Sequence, residues 1–196
     1  MNLPEQTLYI EIIRTKFTFR YVLIQDRMLR VRIFFPIFFF TSVAIKAYSQ
    51  DPAEWRALEF NSIDDYRNNE SNVLECARYV LDVPADINNP LRLSAMGVIS
   101  KWMSGTPDYA FSLDETIMTL TKKNDVILSI YMAAMTKFAL ENKDKASNAG
   151  LIKLNAFQIL LEYCEQPNND VSLTKEISKA IKAKNSGKLK EYLDLK

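Results

Sequence analysis

Ser172-Leu173-Thr174-Lys175 has the Ser-x-x-Lys spacing in which a lysine one helical turn away activates a hydroxyl nucleophile. Enzymes built on that pair also carry a second serine motif and a Lys-Thr-Gly strand. This chain has neither, so Ser172, following Asp170, reads as a helix cap. Two acidic pairs, Asp64 with Asp65 and Asp114 with Glu115, could supply a general acid and a base, as in a glycosidase. That chemistry needs carboxyl groups ~5 to 9.5 Å apart across a cleft, whereas adjacent residues on a helix diverge. Asp114 and Glu115 therefore read as first-turn acids at the positive end of a helix. The chain contains no histidine, which excludes imidazole triads, histidine acid–base chemistry and zinc sites built on histidine. Its four glycines, Gly97, Gly105, Gly150 and Gly187, form no phosphate loop, because Gly187-Lys188 lacks both the upstream glycine and the following Ser or Thr. No catalytic residue, metal ligand or cofactor is assigned.

Trp102-Met103-Ser104-Gly105-Thr106-Pro107-Asp108-Tyr109 is the stretch most specifically written for one loop. Gly105 suits a left-handed residue closing a helix, Pro107 fixes the next φ, and Asp108 can bond its own backbone. An aromatic pair beside a carboxylate at a helix end can also line a groove, and Trp and Tyr dominate interfaces. Trp102, Thr106, Asp108 and Tyr109 are accordingly the candidate binding residues. Cys76 and Cys164 each fall on an apolar helical face, where free thiols bury readily; a Cys76–Cys164 disulfide requires their Cα atoms within ~7 Å. The segment from Cys76-Ala77-Arg78-Tyr79 to the Trp102–Tyr109 loop resembles uncharacterised secreted all-helical proteins of Gram-negative bacteria, in which a Trp-Met-x-Gly-Thr-Pro-Asp-Tyr stretch follows a helix. That resemblance implies no activity.

The elements that must hold these residues are helices throughout. Ser71 or Asn72 opens a helix with apolar positions 73, 77, 80 and 81, stopped by Pro84. Asn88 and Asn89 precede Pro90 at the start of a second, carrying Leu91, Ala95, Ile99 and Trp102. Asp114 or Ser112 caps a short helix with Ile117 and Leu120, and Asn124 or Asp125 starts one whose stripe runs Ile127, Ile130, Tyr131, Ala134, Phe138. After the polar loop Asn142 to Asn148 comes the most apolar helix, Leu151 to Cys164. Beyond Pro167 to Asp170, Ser172 caps a helix with Leu173, Ile177 and Ile181, and Leu189 to Leu193 add a last turn. No stretch alternates with period two. The fold class is all-α, a compact helical bundle or a short array of αα-hairpins, with helix starts near 73, 112 and 149 suggesting an interval of 37 to 39 residues.

Met28 to Ser49 has the order of a secretory signal: Arg30 and Arg32, then an apolar run from Ile33 to Ala44, then small residues at Ala47 and Ser49. The run is shorter than the ~20 residues of a membrane-spanning helix. The expected organisation is an upstream extension at 1–27, a signal peptide at 28–49, a loosely packed lead-in at 50–70, and one helical domain at 71–196. Of 25 basic and 24 acidic residues, 7 and 3 precede Gln50, leaving 18 against 21 and a net charge of −3. That balance argues against a nucleic-acid binder, and the nearest basic stretch, Lys175 to Lys190, is interleaved with Glu176 and reads as a solvated helix face. The reading is an exported, periplasmic or secreted protein without stable membrane insertion after cleavage, acting by binding, with another envelope protein as the candidate partner. The alternative is a histidine-free hydrolase using paired carboxylates, on cell-wall glycans.

Overall fold

Asparagine side chains begin most of the long helices. Asn89 accepts from the amides of Leu91 and Arg92, Asn124 from that of Val126, and Asn148 from that of Leu151, each satisfying N–H groups that have no partner inside the helix. The computed structural model describes residues 52–121 and 124–195; the expected extension at 1–27 and the expected signal peptide at 28–49 lie outside the described residues. The described residues are all-helical: α1 (Pro52–Arg56), α2 (Ile63–Asn68), α3 (Glu70–Asp82), α4 (Pro90–Gly105), α5 (Glu115–Thr121), α6 (Asp125–Glu141), α7 (Ala149–Glu165), a 3-10 turn at Pro167–Asn169, α8 (Lys175–Asn185) and α9 (Leu189–Tyr192).

The chain order contains one arrangement twice. In α3–α4–α5 the first link is residues 83–89 and the second 106–114; in α6–α7–α8 they are 142–148 and 166–174, so both units join their helices by seven and then nine residues. The caps Asn89 and Asn148 are 59 residues apart, and Asp114 and Thr174, which cap the short third helices, are 60 apart. Around those last caps the sequence repeats as well: Pro107 and Pro167, Ser112-Leu113 and Ser172-Leu173, then the buried Ile117 and Ile177. The repeated interval is therefore near 60 residues rather than 37 to 39. Thr174, not Ser172, caps α8, its hydroxyl accepting from the amide of Ile177 at 3.2 Å.

Packing joins the two units along α3 and α6. α3 packs on α4 and α6, and α6 packs on α7. Lys143 reaches Glu70 at the start of α3, whereas at its other end Arg92 donates to the carbonyl of Val80 at 2.6 Å and to the hydroxyl of Ser129, so α3 and α6 run antiparallel. The core forms two clusters. One holds Trp55, Val73, Cys76, Val80, Ile99 and Trp102; the other holds Ile130, Tyr131, Phe157, Leu161, Cys164 and Ile177. Half-buried Leu81, Met103, Phe111 and Met132 touch both.

Two expectations need correction. The lead-in is not loosely packed: Trp55 is 2% exposed and α1 lies on α4. Nor is Gly105 a left-handed closing residue. It is the last residue of α4, and a Cβ there would sit 2.0 Å from the Tyr66 hydroxyl, so what favours glycine is the close approach of the Tyr66 ring and not a positive φ.

Candidate functional site

The residues that converge on a cavity come from the junction of the two units. Asp114 stands immediately before α5, and its Oδ1 accepts from the amides of Thr116 and Ile117 at 3.0 and 3.3 Å. Its Oδ2 is left to meet Lys153 of α7 at 2.5 Å. Burial alone would raise the Asp114 pKa, but the Lys153 ammonium and the two amides outweigh it and hold the carboxyl below its usual range. Lys153 is itself fixed twice, since Nζ also donates to the carbonyl of Leu193 at 2.9 Å. That leaves one ammonium proton uncommitted.

Tyr131 approaches from α6. Its ring packs edge-on against Phe157 with centroids 5.0 Å apart, and the residue is 1% exposed. Burial, and then the charge of Asp114, push its phenol pKa upward, so the hydroxyl is neutral. It makes no hydrogen bond among the described residues, yet it is not among the sealed-off polar atoms, which are Trp55 Nε1 and Thr136 Oγ1. A buried hydroxyl without a protein partner normally forfeits about 1–3 kcal/mol. Here it faces a cavity of about 380 Å³ lined by Tyr131, Met135, Ile152 and the Asp114–Lys153 pair, with Glu115 and Asp194 among the groups at its edge. Gly150, in the first turn of α7, also lines it; a Cβ there would touch Leu195 Cδ2 at 3.7 Å.

The four residues singled out from the sequence lie elsewhere and hold one another. Trp102 is fully buried and its indole donates to the carbonyl of Tyr66 at 3.1 Å, so it does not face a groove. Tyr109 and Phe111 pack on the Trp102 ring at centroid distances of 5.3 and 5.7 Å. Asp108 takes both arms of the Arg67 guanidinium at 2.7 and 2.9 Å, which lowers its pKa. Thr106 is the C-cap of α4, its amide returning to the carbonyl of Trp102. The loop is a clasp that closes α2 onto the end of α4. Cys76 and Cys164 are free and buried in different core clusters. Burial raises both thiol pKa values, that of Cys164 to about 12, which leaves both inert.

No family model matches the chain, and neither a curated protein nor a solved structure does. Function therefore has to be argued from the site alone. Among the described residues no group of three or more His, Cys, Asp or Glu side chains is placed to hold a metal ion. Asp114 was legible as a helix cap but not as half of an ion pair. The signal for its partner was Lys153 itself, a charge set between Ile152 and Leu154 in an otherwise apolar turn. Tyr131 carried no separate signal, because its place in the α6 stripe made it a core residue by type.

Proposed function

We propose that the protein is exported and acts by binding a small ligand in the cavity between α5, α6, α7 and the C-terminal turn, on a scaffold of two consecutive three-helix units, as part of an envelope or periplasmic interaction module. One observation carries the binding site: a phenol 1% exposed turns an unpaired hydroxyl into a cavity of about 380 Å³, within the size range of small-molecule sites. Export rests on the order of residues from Met28 to Ser49. The resemblance of the Trp102–Tyr109 segment to secreted helical proteins supports the same compartment.

Hydrolysis by paired carboxylates draws no support from the geometry. Asp114 spends one oxygen on backbone amides and the other on Lys153, and it is held ionised well below neutrality, so it has no proton to give a leaving group. Asp65 closes a capping box with Ser62 and is likewise held charged. Protein-observed NMR of the exported chain against a chemically mixed library of small fragments tests the binding site. Ligands that shift the methyl signals of Met135 and Ile152 are the expected result, and a library that moves neither would overturn it. Mass measurement of the exported chain tests the compartment, with a start at Gln50 expected and a retained Met1 contradicting it.

A further inference from the structure

The charges around the cavity do not balance, and the imbalance selects a ligand. Asp114 and Lys153 cancel each other at 2.5 Å. That leaves Glu115 and Asp194, both exposed, both lining the cavity, and neither in an ion pair among the described residues. Behind them the cavity turns apolar, with Met135 1% and Ile152 3% exposed. The unpaired Tyr131 hydroxyl offers oxygen lone pairs in the same space, and its ring presents a negative face. An anion entering here meets two uncompensated carboxylates, and a purely apolar molecule strands the phenol. A short hydrocarbon body carrying an ammonium satisfies both parts.

We infer that the cavity takes a compact organic cation, an ammonium on a short apolar body, whose N–H groups donate to the Tyr131 hydroxyl within the field of Glu115 and Asp194 while its hydrocarbon lies on Met135 and Ile152. This rests on the cavity being a binding site, as proposed above, and adds the charge of what binds. Two of the positions are open to substitution without loss of the fold. Glu115 is exposed in the first turn of α5, and Asp194 holds φ +52°, a left-handed conformation that asparagine also tolerates.

Three four-carbon probes of similar size separate the alternatives: butylammonium, butanol and butyrate, each titrated into the full chain while the Met135 and Ile152 methyl signals are followed by NMR. Butylammonium should saturate both signals with a dissociation constant on the order of millimolar, as its few heavy atoms allow. The double variant E115Q/D194N should weaken it roughly three- to ten-fold, and added salt should weaken it in the unmodified protein but not in that variant. Tyr131→Phe, which keeps the ring, should weaken it a further few-fold. Butanol or butyrate binding as tightly as butylammonium would overturn the cation assignment and leave the cavity a binding site. Failure of all three probes to move either methyl signal would overturn both.

Discussion

The two three-helix units share their links and caps and differ where they meet other things. The first ends α4 in an aromatic clasp, Trp102 with Tyr109 and Phe111, whereas α7 carries Leu161 at the position matching Trp102, and its link turns through Pro167–Asn169 and a left-handed Asp170. The caps of the third helices differ in charge as well. Asp114 faces Lys153 of the following unit, and Thr174 caps α8 through a neutral hydroxyl. Thus the common residues, Asn at the long-helix starts and Ile one turn beyond the third cap, build the scaffold. The residues in which the units differ are those that make the clasp and the cavity.

Substitutions that erase one side of a difference show how much each carries. The largest effect is expected at the clasp: Trp102→Ala removes a fully buried indole and its hydrogen bond, costing about 3–5 kcal/mol in urea denaturation. Leu161→Ala, at the matching point of α7, should cost roughly 2–5 kcal/mol, mainly through the cavity it leaves. A Trp102→Ala cost below about 1 kcal/mol would end the view of the loop as a structural clasp.

Next come the paired caps. Thr174→Ala should lose about 1 kcal/mol, the usual worth of a cap. Asp114→Ala should lose about twice that, because it also leaves Lys153 without its counter-ion. Equal losses would mean that the ion pair adds nothing. Acid should erase the distinction between the caps. The folded pKa of Asp114 lies below its unfolded value, so its contribution is complete above the ordinary carboxylate pKa of ~3.9 and disappears as pH falls through the lower folded value. Melting curves of the unmodified chain and of Asp114→Asn should differ at pH 6 and converge in that acid window.

The smallest effect has the opposite sign. Gly97 lies within α4 with open space where a Cβ would be, and the position 59 residues later in α7 is Ala156. Gly97→Ala makes the first unit resemble the second and should add about 0.5–1 kcal/mol, read as a Tm higher by about 2 °C.

Helices with their signals inside their own span were legible in the sequence: Asn124 before the α6 stripe, Pro90 after Asn89, and the polar link 142–148. α2 was missed because IDDYRN buries no residue and so writes no stripe, its start being set by the Ser62–Asp65 capping box. The 60-residue interval was missed because only the sequence around the third caps repeats, while the long helices share the lengths of their links but few side chains. The cavity was illegible for a different reason. Asp114, Tyr131 and Lys153 lie on three helices, or before them, and it is the packing of α5 and α7 on α6 that brings them together.

Arg92 fastens one end of the seam between α3 and α6. Where α3 begins and α6 ends, the ties across the seam are ion pairs, Glu70 with Lys143 and Glu141 with Arg78. At the other end, Arg92 holds Val80 and Ser129, and the Tyr163 hydroxyl donates to the carbonyl of Val83, with no carboxylate accepting in those bonds. The two ends of the seam are thus fastened by different chemistry, ion pairs at one and neutral carbonyl and hydroxyl acceptors at the other.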